Sequence, residues 1–76
     1  MRSLKNSIYV DFGNKIAEHR ILHNLTQEDL AEKLHVSSQA VSKWENGKCF
    51  PKLKNIIEIC RELKINYIDF FESLFK

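Results

Sequence analysis

The stretch that decides the fold is LTQEDLAEKLHVSSQAVSKWENGKCFP, residues 25–51. It contains two helix starts of the same design, one at Thr26 and one at Ser37. Thr26 is followed three positions later by Asp29, which fits a capping box with Asp in place of the more usual Glu. Apolar residues at the spacing of one helix face follow each start. The stretch therefore predicts two short helices, beginning at Thr26 and at Ser37.

The link between these two helices consists of only His35 and Val36. So short a connection forces a sharp angle between the helices. In DNA-binding motifs with this geometry, one helix braces on the DNA backbone while the next enters the groove. Asn46-Gly47 predicts the end of the second of them, because glycine tolerates a left-handed cap.

Helical periodicity extends to both sides of this stretch. A first helix is predicted over residues 12–23, with Asp11 as its N-cap. A fourth follows Pro51 with an apolar stripe of Leu53, Ile56, Ile57, Cys60 and Leu63. A fifth begins at Asn66, and the apolar residues that we expect it to contribute to the core are Tyr67, Phe70 and Phe71. Residues 1–11 show no clear period and are predicted to form a flexible arm, which leaves one all-α domain of five helices over residues 12–76.

Composition agrees with a single small helical domain. The chain has 76 residues, 43% of them hydrophobic, with two Gly and one Pro. Its two cysteines indicate reduced thiols of a cytosol rather than a disulfide framework. We find no signal peptide and no apolar run approaching the ~20 residues of a membrane span.

The distribution of charge is more informative than the net charge of +2. Four lysines, at positions 43, 48, 52 and 54, stand against Glu45 between residues 37 and 54. The helix starting at Thr26 instead carries Glu28, Asp29 and Glu32. The basic cluster indicates a surface that faces phosphates.

The helix starting at Ser37 divides into two faces. Ala40, Val41 and Trp44 are expected to point inward, and the outward residues are then Ser38, Gln39, Ser42, Lys43 and Asn46. Gln39 can pair with adenine N6 and N7, and Lys43 can donate to guanine O6 and N7. Periodicity leaves two interpretations of this face open, a DNA-reading surface and a solvated polar one.

The run of residues 25–51, continued by LKNIIEICRELKINYIDFF over residues 53–71, resembles the phage-repressor family, the Cro and lambda-repressor-like or Xre-like proteins. The resemblance implies a compact five-helix lambda-repressor-like DNA-binding domain. It implies a small transcriptional regulator, bacterial or phage-encoded and cytoplasmic, that binds a palindromic double-stranded DNA operator as a homodimer, most simply as a repressor. No cofactor is expected.

The predicted site residues fall into three groups. The base-reading residues are Ser38, Gln39, Ser42 and Lys43. The phosphate-binding residues are Thr26, Gln27, Asn46, Lys48 and Lys52, and the resemblance implies that Gln27 also helps to orient Gln39. It further implies a structural ion pair between Arg20 and Glu45.

The chain also departs from the family pattern. His35 and Lys64 stand where glycine is common, so we expect left-handed backbone at a cost in energy. An Arg that is frequent at the Ser38 position is missing, and His19 occupies a slot often filled by Leu.

Other chemistry is not favoured. His19 and His23 have the spacing of two metal ligands on a helix, but the other candidates, Cys49, Cys60 and His35, are scattered over different elements, so no metal site is predicted. No catalytic motif and no small-molecule substrate are indicated.

The C-terminal helix contains more apolar residues than one face can bury. Ile68, Leu74 and Phe75 are therefore predicted dimer contacts. Two alternative functions stay open, an antitoxin that binds a partner toxin and represses its own operon, and a restriction–modification controller.

Overall fold

The computed structural model describes residues 4–74, and the side chains of residues 8–72. This part of the chain contains five helices and no strands, as predicted. They are α1 (Leu4–Leu22), α2 (Gln27–Leu34), α3 (Ser38–Glu45), α4 (Leu53–Glu62) and α5 (Tyr67–Leu74). Within these residues, none of the helices combines the length and the apolar character that a bilayer crossing requires.

Local capping explains where α2 and α3 begin. Thr26 Oγ1 accepts a hydrogen bond from the Asp29 N–H at 3.0 Å, and the Thr26 N–H donates to Asp29 Oδ2 at 2.9 Å. This is the predicted capping box, with both N-terminal donors satisfied. Ser37 Oγ accepts from the Ala40 N–H at 3.1 Å. Both predicted helix starts are confirmed.

Left-handed residues other than glycine follow three of the helices. Asn24 follows α1 with φ 58°, and asparagine tolerates this conformation. His35 follows α2 with φ 58°, and Lys64 follows the C-cap of α4 with φ 55°. His35 and Lys64 stand where this conformation favours glycine, so both carry a backbone strain of about 1–2 kcal/mol. Gly47, with φ 71°, reverses the chain after α3 without such a cost.

The N-terminal boundary was predicted wrongly. Residues 4–11 are not an arm, because α1 begins at Leu4 rather than near Phe12. Aromatic contacts with the α3–α4 loop account for the difference: Tyr9 stacks on Phe50 with ring centroids 5.2 Å apart, and Phe50 lies 4.5 Å from Phe12. Tertiary packing therefore stabilises a segment whose sequence has no clear helical period. Residues 1–3 of the proposed arm lie outside the described residues.

The core lies where all five helices meet. Phe12 and Ile16 of α1 are buried against apolar side chains of the other helices, and the Phe12 ring meets Phe70 of α5 edge-on at 5.0 Å. The buried members from the middle of the chain are Leu30, Ala31, Leu34, Val41, Trp44, Ile56, Ile59, Cys60 and Leu63. The pair of helices α2 and α3 therefore packs on its buried side into one core shared with α1, α4 and α5.

The apolar stripe of α4 is rotated relative to the prediction. Ile56, Cys60 and Leu63 are buried as expected, but Leu53 is 69% exposed and Ile57 is also exposed, while Ile59 is fully buried. A single helix presents only one sector to its neighbours, and the sequence contained more apolar residues than that sector holds.

Tyr67 was also assigned wrongly to the core. It is 44% exposed, and its hydroxyl donates to the Ile57 carbonyl oxygen at 3.4 Å. The neighbouring Phe70 is buried and Phe71 is half-buried, as the prediction required.

Candidate nucleic-acid interface

The turn between α2 and α3 sets the angle of the candidate reading helix. The His35 N–H donates to the last turn of α2, and the Val36 N–H donates to the Ala31 carbonyl at 3.0 Å. This is the hydrogen-bond pattern of a Schellman motif, in which a left-handed residue reverses the chain just past a helix. Ser37 then caps α3 at once, so the two helices are joined by a rigid connection with its backbone donors satisfied.

The inner face of α3 fixes which residues point outward. Val41 and Trp44 are buried and Ala40 is half-buried against the core. Gln39 and Lys43 are exposed on the opposite side. The two residues with the most selective base-pairing chemistry are therefore free to approach a ligand.

The two serines of the predicted reading face are more restricted. Ser38 and Ser42 are both half-buried. Asn46 Nδ2 donates to Ser42 Oγ at 3.3 Å, which leaves the Ser42 hydroxyl hydrogen available to an acceptor outside the protein.

Further polar and cationic groups lie next to α3. At the N-terminus of α2, Thr26 forms the cap and Gln27 is half-buried. The chain leaving α3 carries exposed Asn46, Lys48 and Lys52. A helix N-terminus and lysine side chains both attract phosphate.

An ion pair connects α1 to the C-terminus of α3. Arg20 Nε donates to Glu45 Oε2 at 2.7 Å and Arg20 Nη2 donates to Glu45 Oε1 at 3.1 Å, with side-chain exposures of 14% and 6%. The hydrogen bonds to Glu45 raise the pKa of the Arg20 guanidinium above its ordinary value, although burial opposes them. This is the pair that the family resemblance implied.

Gln27 joins the same ion pair. Its Nε2 donates to Glu45 Oε1 at 2.9 Å. The resemblance implied that Gln27 helps to orient Gln39, but no hydrogen bond connects these two side chains in the described part of the chain. The amide is turned toward the carboxylate because a carboxylate accepts hydrogen bonds more strongly than a neutral amide does.

Residues 16–70 match the model of a helix-turn-helix family. The chain belongs to the Xre/Cro-like helix-turn-helix family.

Known proteins that are similar to this chain differ in length. It is 47% identical over 58 residues to an uncharacterised HTH-type transcriptional regulator of Methanocaldococcus jannaschii. This match covers 76% of this chain and 88% of the relative. It is 47% identical over 47 residues to the HTH-type transcriptional activator BcrR of Enterococcus faecalis. That match covers 62% of this chain and only 23% of BcrR, so BcrR is a much longer protein.

The fold of this family member also resembles a solved regulator. A mutant of the restriction-modification controller protein C.Esp1396I superposes with a TM-score of 0.76 at 29% sequence identity. The superposition covers 91% of this chain and 90% of the controller.

The histidines and cysteines considered for metal binding do not form a cluster among the described residues. His23 Nε2 lies 2.8 Å from the Leu63 carbonyl oxygen, so this nitrogen carries the proton. Cys60 is buried, and burial raises the pKa of its thiol. Among the described residues, no group of three or more His, Cys, Asp or Glu side chains is placed to hold a metal ion.

The predicted dimer contacts are only partly described. Ile68 is 70% exposed on α5. The side chains of Leu74 and Phe75 lie outside the described residues. Leu53, Ile57 and Tyr67 are further exposed apolar residues on α4 and α5, which the periodicity had placed in the core.

Proposed function

We propose that this protein regulates transcription, without enzymatic activity, by sequence-specific binding of double-stranded DNA, with α3 in the major groove. The observation that carries the proposal is the face of α3. Exposed Gln39 and Lys43 lie on a helix whose other side is fixed in the core, and phosphate-attracting groups stand at the α2 N-terminus and in the chain after α3. A side chain reads a base edge only from such a fixed frame, because discrimination depends on hydrogen-bond geometry.

The residues divide between reading and positioning. Gln39 and Lys43 supply the main base contacts, to adenine and guanine respectively, and each is worth roughly 1–3 kcal/mol of discrimination. Ser38 and Ser42 add short-range hydroxyl contacts of lower selectivity. Ser38 gives this chain a smaller contact than an arginine would make at the same position.

Phosphate contacts fix the register of α3 on the duplex. Thr26 and Gln27 bind one phosphate at the N-terminus of α2, where the helix dipole adds to the hydrogen bonds. Asn46, Lys48 and Lys52, in the chain after α3, bind further backbone phosphates.

The protein acts as a homodimer on a palindromic site. Leu53 and Ile57 lie one turn apart on α4, and the Tyr67 hydroxyl of α5 donates a hydrogen bond to the Ile57 carbonyl oxygen. Ile68, the residue after Tyr67, is also exposed. Covering this apolar surface with a second copy removes it from water. Leu74 and Phe75, whose side chains lie outside the described residues, stay proposed dimer contacts. Two copies related by a two-fold axis place their α3 helices in major grooves about 34 Å apart.

Selection of bound duplexes from a random pool, followed by sequencing, tests this function directly. We expect a two-fold symmetric consensus, bound at least ~10³-fold more tightly than unrelated DNA at the same salt concentration. Equal, weak binding of all sequences would refute the proposal. The spacing between half-sites also reports the geometry of the dimer.

Two substitutions separate reading from positioning. Gln39→Ala should relax the base preference at one position of each half-site. Lys48→Ala should weaken binding to all sequences about equally and reduce the steepness of the salt dependence by about one phosphate contact per protomer. An unchanged consensus for Gln39→Ala would show that the reading face is assigned wrongly.

A restriction–modification controller is the second candidate function, and the superposition with C.Esp1396I over nearly the whole of both chains favours it. The sign of regulation is a separate question, because BcrR is an activator. Transcription in vitro from a promoter that contains the selected site distinguishes repression from activation. Co-purification of a second small protein on the apolar surface of α4 and α5 would instead support an antitoxin with a toxin partner. In each case we expect the protein in the cytoplasm, where its DNA is.

A further inference from the structure

The ion pair between α1 and α3 is connected directly to the DNA-binding end of α2. Glu45 receives three hydrogen bonds, two from Arg20 and one from Gln27. Arg20 also donates, through Nη1, to the Leu25 carbonyl oxygen at 2.7 Å. Leu25 directly precedes Thr26, the N-cap of α2. One carboxylate and one guanidinium thus hold both the backbone and the first side chain of the α2 N-terminus.

We propose that Glu45 is a positioning residue for DNA binding, which holds Gln27 and the α2 N-terminus at a fixed place relative to α3 without touching DNA itself. This inference rests on the proposed function, because it assigns the cause of the phosphate contact made by Gln27. Glu45 is 6% exposed, so its carboxylate is directed into the protein rather than toward a ligand.

The direction of the Gln27 amide follows from the chemistry of its partner. A carboxylate only accepts hydrogen bonds, so Nε2 rather than Oε1 of Gln27 must face Glu45. One amide hydrogen is used in this contact, and the second hydrogen on the same nitrogen remains for a phosphate oxygen. Without Glu45, the half-buried amide is free to rotate and to present its carbonyl oxygen, which repels an anion.

Two accounts of Glu45 predict opposite changes in DNA affinity when this acidic residue is replaced. If Glu45 acts only through its negative charge, its loss tightens binding, whereas a positioning role predicts weaker binding. Removing a negative charge from a DNA-binding surface lowers repulsion and should tighten binding. Glu28 provides the matched control, because it is an exposed acid in the first turn of α2 next to Gln27. Glu28→Gln should therefore bind the selected operator as tightly as the unaltered chain or more tightly, whereas loss of Glu45 should weaken binding.

Loss of Glu45 alone leaves a guanidinium unpaired in a mostly buried position and can unfold the domain, so the test replaces both partners. Apolar replacement of a buried ion pair is often neutral or stabilising. Arg20→Met with Glu45→Met keeps side-chain volume but removes the acceptor of Gln27. We expect a urea midpoint no lower than that of the unaltered chain, and operator binding about tenfold weaker, the effect of one hydrogen bond to a charged group.

A cycle with Gln27→Met locates the cause of the loss. Gln27→Met alone should also bind about tenfold more weakly, and the triple variant should be no weaker than Gln27→Met, because Glu45 acts through Gln27. Binding by the Arg20→Met, Glu45→Met variant within twofold of the unaltered chain would overturn the inference, as would a tenfold loss in the Glu28→Gln control. Failure of the unaltered chain to select any DNA sequence is a different result, which overturns the proposed function and this inference together.

Hydrogen exchange in the unaltered chain tests the inference without any substitution. The side-chain amide hydrogens of Gln27 should exchange with water more slowly than those of exposed Gln39, which serves as the internal control in the same NMR spectrum. Equally fast exchange of both amides would overturn the inference.

Discussion

Gly13 lies in the middle of α1, where helix propensity alone favours its replacement by alanine. Gly→Ala in a helix interior gains about 1 kcal/mol when nothing else changes. A Cβ added at Gly13, however, would lie 2.8 Å from the Glu45 carbonyl oxygen and closer still to that of Trp44. These atoms belong to the backbone at the end of α3, so they cannot move aside as the tip of a side chain would. We therefore predict that Gly13→Ala destabilises the protein.

The magnitude follows from the distance that must be gained. Ordinary carbon–oxygen contacts are about 3.3 Å or more, so α1 must move away from α3 by several tenths of an ångström at least. Forcing an extra carbon into a packed interior costs about 1–3 kcal/mol, and a rigid backbone neighbour puts this site at the upper end. Subtracting the propensity gain of about 1 kcal/mol leaves a net loss of about 2 kcal/mol. A domain of this size has a total stability of about 4–11 kcal/mol, so the variant should still fold.

Urea denaturation followed by the fluorescence of Trp44 tests the prediction, because this residue is the single tryptophan and lies buried beside the contact. The free energy of unfolding falls by about 1 kcal/mol per molar urea in a domain of this size. The urea midpoint of Gly13→Ala should therefore lie about 2 M below that of the unaltered chain. Asn14→Ala is the control, because Asn14 is exposed on the same helix and should become slightly more stable. If Gly13→Ala is as stable as Asn14→Ala, the packing argument is refuted.

Three further predictions concern single residues. His35→Gly should stabilise the protein by roughly 0.5–1 kcal/mol, measured as a higher urea midpoint, because glycine removes the left-handed strain but adds freedom to the unfolded chain; a lower midpoint would contradict this account. Hydrogen bonds from the backbone and side chain of Thr26 hold the pKa of Asp29 below its ordinary value of 3.8. The stabilisation from this lowered pKa is complete above pH 3.8 and is lost as the pH falls through the lower value of the folded state, so Asp29→Asn should flatten the acid limb of a stability–pH curve. Finally, iodoacetamide should modify half-buried Cys49 well before Cys60, which is buried and has a raised thiol pKa; equal rates, followed by mass spectrometry of the peptides, would show that the core opens readily.

The parts of the fold that were predictable depend on neighbours in sequence. Thr26 caps α2 and Ser37 caps α3 through hydrogen bonds that span three residues. The left-handed backbone at His35 was expected from the resemblance, because glycine is common at this position in the family. The two caps follow from side-chain chemistry, which any local stretch of chain already contains.

The exposure of the candidate reading residues was predictable, whereas the hydrogen bonds between the candidate site residues were less so. Gln39 and Lys43 were assigned outward because Val41 and Trp44 define the opposite face of a helix. The hydrogen bond from Gln27 to Glu45 was not foreseen, since the two residues lie 18 positions apart. The family pattern pointed toward Gln39 instead, and no local signal distinguishes the two partners.

The sequence by itself determined that residues 25–51 form two short helices joined by a sharp turn, with a polar outward face on the second helix. Tertiary structure decided the rest: that α1 extends back to Leu4, that Leu53 and Ile57 are exposed, and that a side chain at Gly13 would meet the backbone of α3. Each of these depends on which surface another helix covers. Periodicity shows that a helix has an apolar side, but only the packed neighbour determines how wide that side is and where it ends.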